Sequence, residues 1–108
     1  MNPGPKPPAT YEAFVKRYPA IAQAWEAMGE AGKKGPLDEK TARLLKLALA
    51  IGALREGAVH ANVRKALAAG VSRAEIEQVI ALAAGTLGLP ATVAVYSWVE
   101  EVFAEPGK

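Results

Sequence analysis

Apolar residues recur at helical spacing along most of the chain, and short breaks divide the pattern into six predicted helices. After residue 72, for example, Ile76, Val79, Ile80 and Ala83 return every three or four positions, which places them on one face of an α-helix. Ala and Leu supply most of the apolar residues, whereas aromatic and β-branched residues are scarce. This composition favours helices over strands. The predicted fold is therefore all-α, a compact helical bundle of about six helices built from antiparallel hairpins.

Capping residues, glycines and prolines mark the predicted boundaries. Four prolines within Met1–Ala9 disfavour a helix there and predict a flexible Pro-rich arm over 1–9, followed by a single helical domain over 10–108. Thr10 and Asp38 are predicted N-caps, and Ser72 begins a capping box. The predicted helices run over about 11–17, 19–28, 38–53, 55–69, 72–87 and 90–103.

Two of the predicted helices carry more apolar surface than one chain can cover. The third contains LLKLALAI, which is apolar on nearly every side after Lys46. The sixth has one apolar stripe with Val95, Val99 and Val102, while Tyr96 and Phe103 are predicted to project elsewhere. Helices that are apolar all round must be buried on all sides, and a chain of this length has little with which to surround them. The pattern predicts a homo-oligomer.

Composition and charge exclude several classes of function. The net charge is only +2, basic and acidic residues are interleaved, and the basic pair Lys33–Lys34 lies in a predicted loop, so no nucleic-acid partner is expected. The chain has no cysteine, which excludes disulfides, thiolate metal sites and thiol redox chemistry by this chain alone. We see no secretory leader and no uninterrupted apolar segment for a membrane, so the expectation is a soluble cytoplasmic protein.

His60 is the only histidine, and Glu56 precedes it by four residues, one helical turn away on the same face. With Val59 as reference, a rotation of 100° per residue places Val63 about 40°, Glu56 about 60° and His60 about 100° away. Glu56 and His60 should then face partly toward the core. A buried carboxylate must be paired or protonated, and an imidazole exchanges protons near neutral pH, as a general acid or base must. The pair is the candidate catalytic site.

Arg64, one turn beyond His60, is a candidate ligand for a substrate carboxylate, because its guanidinium can bind such a group through two hydrogen bonds. The same residues also fit a purely structural role, in which Glu56 caps the helix and holds His60 in a buried pair. A metal site is disfavoured, since one histidine and one carboxylate are too few ligands unless another chain contributes more. No cofactor and no metal are expected.

The segments LDEKTARLLKLALAIGA and HANVRKALAAGVSRAEIEQVIALAAGTLGLPATVAVYSWVEEVF resemble the carboxymuconolactone decarboxylase family, which includes the alkylhydroperoxidase D-like proteins. The resemblance spans about 37–103, and its most specific part is the histidine together with ALAAGVSRAEI, which begins after the next five residues. It implies an alkylhydroperoxidase D-like helical bundle that assembles into trimers or hexamers.

The resemblance also separates two chemistries. The alkylhydroperoxidase branch places a Cys-x-x-Cys dithiol before the histidine, and Ala53 and Glu56 occupy those positions here. Its glutamate on the preceding helix is replaced by Arg43. The decarboxylase branch, which tends to have a glutamate four residues before the histidine, is the more similar one. By this resemblance His60 and Glu56 are the catalytic residues, and Arg64 or Arg43 binds an anionic group of the substrate.

Three functions remain open at this point, and whether the chain is an enzyme is undecided. The first is acid–base chemistry on a small carboxylate or lactone, as in a carboxy-lyase. The second is a non-catalytic oligomer that binds a small ligand or serves an antioxidant system, without thiol peroxidase activity. The third is an adaptor that recognises partners through its Pro-rich arm.

Overall fold

The structure is a computed structural model that describes residues 9–106, and the all-α prediction is confirmed. Of the predicted Pro-rich arm, residues 1–8 lie outside the described residues, and the next residue already belongs to the first helix. The helices are α1 (Ala9–Arg17), α2 (Pro19–Gly32), α3 (Glu39–Gly52), α4 (Glu56–Ala68), α5 (Arg73–Leu87) and α6 (Leu89–Phe103). They form two compact units, one with α1 and α2 and one with α3 to α6. The single domain expected over 10–108 stays a prediction.

The first unit differs from its prediction at both ends. Thr10 cannot be the N-cap of α1, because Ala9 before it is already helical. Pro19 begins α2 as predicted, since the first helical position needs no N–H donor. However, α2 continues beyond its predicted end to Gly32. One glycine in an exposed helix costs only about 1 kcal/mol relative to alanine, and Gly29 therefore does not end the helix.

The predicted caps of α3 and α5 are confirmed. The carboxylate of Asp38 accepts a hydrogen bond of 2.7 Å from the backbone N–H of Thr41. In the capping box, the Ser72 hydroxyl accepts from the N–H of Glu75 at 3.0 Å, and the Glu75 carboxylate accepts from the N–H of Ser72 at 2.8 Å. These backbone N–H groups stabilise the anions and lower the pKa of both Asp38 and Glu75. Local hydrogen bonding thus fixes where both helices begin.

The second unit encloses the apolar core. Helix α3 packs against α4 and α5, and α6 packs against the same two helices from the other side. Each helix contributes at least one large side chain that is almost completely buried, and each such side chain stabilises the fold by about 1.5–3 kcal/mol. These side chains are Leu47, Ile51, Val59, Val63, Ile76, Val95, Val99 and Val102.

Helix α3 is not covered on all sides within one chain, because Leu45 and Leu49 are 47% and 73% exposed. This agrees with the expectation that it carries more apolar surface than one chain can cover. The expectation for α6 needs one correction. Phe103 does not project away from the core but is buried. The Arg73 guanidinium lies 4.8 Å from its ring centroid and donates a 3.2 Å hydrogen bond to its carbonyl oxygen. Tyr96 is exposed as predicted.

Helix α4 ends in a left-handed turn at Gly70, which has φ of 90°. The N–H of Gly70 donates to the carbonyl oxygen of Leu67 at 3.1 Å, and the N–H of Val71 donates to the carbonyl oxygen of Ala66 at 2.9 Å. This double pattern is the Schellman motif. Helix α3 ends in the same motif, but there Leu54 occupies the left-handed position with φ of 53°. Leucine is sterically disfavoured in this conformation because of its Cβ, whereas glycine, which has no Cβ, is not.

None of the described helices is long and apolar enough to cross a membrane.

We predict that Gly70→Ala lowers the free energy of unfolding by about 1–2 kcal/mol, because alanine in the left-handed region brings Cβ too close to the backbone. The matched control is Gly85→Ala, inside α5. Apart from the adjacent backbone of its own chain segment, a Cβ meets nothing within 4 Å at either position. Alanine in the helix should therefore stabilise the protein, by up to about 1 kcal/mol.

Urea unfolding at one fixed protein concentration measures both changes. Equal effects of the same sign in the two variants would contradict the left-handed turn at Gly70.

Candidate functional site

Helix α4 determines the orientation of His60. Val59, Val63 and Ala66 are fully buried and turn one face of the helix to the core. His60 lies at the edge of that face, and its side chain is 23% exposed. This position agrees with the helical arithmetic and leaves the imidazole partly accessible to small molecules.

Helix α6 brings a second carboxylate to the imidazole. Val99 and Val102 are buried on either side of Glu101 in the sequence, so the Glu101 side chain leaves α6 away from the core and is 62% exposed. Its Oε1 lies 3.1 Å from Nε2 of His60, which is hydrogen-bond distance. Glu101 was not among the predicted site residues. It is separated from His60 by 41 positions, and only the packing of α4 against α6 brings the two together.

Glu56 lies close to His60 but is not buried. Its Oε2 is 3.9 Å from Nε2 of His60, and its side chain is 54% exposed. The expectation that Glu56 faces partly toward the core is therefore wrong. Glu56 is the first residue of α4, where no further turn packs beside it, and its side chain can extend into solvent. Its negative charge there is favourable to the N-terminus of the helix.

Arg64 is held by Glu105, beyond the end of α6. Its Nε donates a 3.0 Å hydrogen bond to Oε1 of Glu105, and its Nη2 donates to Oε2 of the same carboxylate. The two side chains are each 31% exposed. This pairing raises the pKa of Arg64 above its ordinary value, because the carboxylate stabilises the cation. The edge of the guanidinium formed by Nε and Nη2 is thus occupied, and a substrate carboxylate can bind that edge only by displacing Glu105.

Arg43 lies with a different set of side chains. Partial burial lowers the pKa of Lys65 on α4, and the positive charges of Arg43 and Lys46 lower it further. Within residues 9–106, no hydrogen bond or ion pair joins Arg43 to Glu56, His60 or Arg64. The structure thus groups three of the four predicted site residues and places Arg43 elsewhere.

A groove between α3 and α5 offers a cavity of about 520 Å³. Its lining is mostly apolar, and it includes Leu45, Ile51, Val79 and Leu82. None of the four predicted site residues belongs to it. The groove and the His60 cluster are two separate features of the second unit.

Chemically, the cluster combines one imidazole with two carboxylates. The imidazole can give or take a proton, and a carboxylate can accept a hydrogen bond from its N–H. The ligand atoms of Glu56, His60 and Glu101 all lie within 4.8 Å of one another. Glu101 therefore adds the third ligand atom that the sequence did not provide.

Comparison with known proteins identifies the family. A sequence profile of the carboxymuconolactone decarboxylase family matches residues 19–101. The chain belongs to the carboxymuconolactone decarboxylase family. The resemblance inferred from the sequence is confirmed, and the absence of cysteine agrees with a family member that lacks the Cys-x-x-Cys dithiol.

The fold is also known from a solved structure in the family. The apo form of a carboxymuconolactone decarboxylase family protein from Legionella pneumophila superposes with a TM-score of 0.77. The two sequences are 23% identical, and the match covers 89% of this chain and 88% of that one. At this identity the likeness concerns the fold. No curated protein matches the chain significantly.

The distances predict that Glu101, rather than Glu56, sets the tautomer of neutral His60. A carboxylate accepts hydrogen bonds only, and Glu101 should therefore keep the proton on Nε2. Glu101→Ala should lower the population of this tautomer several-fold, whereas Glu56→Ala should change it little. Ring ¹⁵N chemical shifts measure the ratio without overlap, because the chain has a single histidine. A larger effect of Glu56→Ala would contradict this geometry.

Proposed function

We propose that this protein catalyses acid–base chemistry on a small carboxylate or lactone, as a carboxy-lyase of the decarboxylase type. The observation that carries the proposal is the partly accessible His60, with carboxylates from two helices directed at Nε2. Membership of the carboxymuconolactone decarboxylase family supports this class of substrate. The absence of cysteine directs the proposal away from thiol peroxidase chemistry.

In the proposed reaction, the bond between the substrate carbon and its carboxylate breaks and carbon dioxide leaves. The electron pair left on the substrate is delocalised through the conjugated lactone as an enolate. Protonated His60 then donates its proton to a carbon of this enolate and becomes neutral, and it regains a proton from water for the next cycle. A positioned general acid of this kind accelerates a reaction by about 10²–10⁴-fold.

The two glutamates have opposite consequences in this reaction. As hydrogen-bond acceptors close to Nε2, they can orient the ring of protonated His60, the form that donates the proton. They also repel an anionic substrate, and the proposal therefore requires a cation within reach. Arg64, one turn beyond His60, can provide this charge if the substrate displaces Glu105. Arg43 lies close enough to Lys65 for their charges to interact, and it would have to turn toward His60 to take this role.

The second candidate is a non-catalytic oligomer with the same fold. It is favoured by the pairing of Arg64 with Glu105, which leaves that guanidinium already satisfied. In such a protein Glu56, His60 and Glu101 form a surface ion-pair cluster, and the protein binds a small ligand or serves as an antioxidant accessory.

We propose in either case that the chain is a homo-oligomer, with a trimer or hexamer as the expected assembly. The support is the apolar surface of the second unit, where Leu49 and Leu82 are 73% and 72% exposed. Exposed apolar patches of this kind mark interfaces between proteins. The cytoplasmic location expected from the sequence also stays a prediction.

The test of the catalytic proposal is decarboxylation of γ-carboxymuconolactone and related lactone acids, followed by carbon dioxide release. We expect turnover by the unmodified protein and a loss of about 10²–10⁴-fold in kcat for His60→Gln. Arg64→Gln should mainly raise KM, because it removes a binding charge.

Asn62→Ala provides the control, since Asn62 lies on the same helix and its side-chain amide donates a hydrogen bond to the Ala58 carbonyl oxygen of that helix. Full activity in His60→Gln would eliminate the acid–base role. No turnover by the unmodified protein on any lactone acid would favour the non-catalytic oligomer.

The oligomer proposal predicts that Leu49→Glu and Leu82→Glu, separately or together, dissociate the assembly, because a charge then replaces an apolar contact. Light scattering coupled to size-exclusion chromatography measures the mass. Glu77→Lys, on the exposed side of α5, is a control that changes charge without removing apolar surface. A monomeric mass of the unmodified protein at high concentration would refute the proposal.

A further inference from the structure

One proton on Nε2 of His60 cannot be shared by the two carboxylates that lie near it. Nε2 carries at most one hydrogen, and Glu101 Oε1 lies at hydrogen-bond distance, 3.1 Å. Glu56 Oε2 lies at 3.9 Å, which is too long for a hydrogen bond. Two acceptors therefore converge on a nitrogen that can serve only one of them.

The negative charge of the cluster is not balanced by neighbouring basic side chains either. Within the described part of the chain, neither Glu56 nor Glu101 forms an ion pair with a lysine or arginine. The cation one turn along α4, Arg64, is bound by Glu105. With both glutamates ionised, the cluster is negative whether His60 is protonated or neutral. A bound cation of charge +2 would offset this charge.

The donor set fits a divalent transition metal. Imidazole nitrogen suits zinc, copper, iron and nickel, and carboxylate oxygens complete many such sites. Two ligand atoms, each about 2.1 Å from one ion, can lie up to about 4.2 Å apart. The 3.1 Å and 3.9 Å separations from Nε2 satisfy this limit. Both glutamates are more than half exposed, and a side-chain rotation can bring their oxygens together.

We propose that Glu56, His60 and Glu101 form a site for a divalent transition-metal ion, with Nε2 of His60 as the nitrogen ligand and water completing the coordination. The proposal goes beyond the acid–base function and does not depend on it. Because the metal would occupy the lone pair of Nε2, it would compete with proton transfer by His60. Metal binding is measured without substrate, and each proposal can therefore fail alone.

Calorimetric titration of the untagged chain with Zn²⁺ tests the site. The chain has no cysteine and no second histidine, and therefore no other imidazole or thiolate can bind the ion. We expect one Zn²⁺ per chain and broadening or shift of the His60 ring resonances. Substitution of His60, Glu56 or Glu101 by alanine should weaken Zn²⁺ binding by more than about 10–100-fold. A loss of about 10–100-fold is typical of residues that only hydrogen-bond to a metal ligand.

Glu77→Ala is the matched control, because it removes an exposed carboxylate outside the cluster and should leave the affinity unchanged. Circular dichroism verifies that each variant is folded. Equal Zn²⁺ affinity of His60→Ala and the unmodified chain would show that only scattered surface carboxylates bind, and would overturn the site. Fewer than one ion per chain would also overturn it, since the ion would then be shared between copies.

Discussion

The packing of helix α4 against its neighbours is the constraint on which the site depends. Val59, Val63 and Ala66 are completely buried in the core, and rotating α4 by even one position would expose part of this stripe. Because that rotation costs several buried methyl groups, at about 0.8 kcal/mol for each CH₂ group exposed, α4 is held in one orientation. The packing of α4 therefore places His60 at the boundary between core and solvent, where its imidazole meets Glu101.

The position of α6 is set in a similar way, and a second set of contacts secures its end. Val95, Val99 and Val102 fill the core from the other side. Arg73 holds Phe103 through its ring and its carbonyl oxygen, and Arg64 binds Glu105 through two hydrogen bonds. These contacts surround Glu101, whose own contact with His60 is exposed. Apolar packing and two arginines thus bring together polar atoms that would gain little from meeting in water.

The parts of the fold that depend on local interactions could be predicted from the sequence. Asp38 and Ser72 meet their hydrogen-bond partners within three residues, and both helix starts were predicted. The end of α2 was not, because glycine penalises an exposed helix without forbidding it. Exposure of Glu56 was also missed, since a helical wheel describes the middle of a helix better than its first turn.

The carboxylates from outside α4 could not be predicted at all. Glu101 and Glu105 are each 41 positions from their partners, His60 and Arg64. Nothing in one sequence distinguishes them from other glutamates of the chain, because their significance arises only when α4 and α6 pack. The sequence therefore indicated the imidazole, and the tertiary fold supplied most of its surroundings.

The left-handed leucine at the end of α3 bears on how this region moves. Leu54 lies two residues before the first residue of α4, in a conformation that disfavours a side chain. The strain there lowers the cost of local opening at the α3–α4 junction, relative to a glycine in the same turn. Such an opening would unwind the first turn of α4 and carry Glu56 away, while the buried stripe kept His60 beside Glu101. Glu56 would then move with this junction, whereas Glu101, although its side chain is 62% exposed, would stay on a helix that the core holds in place.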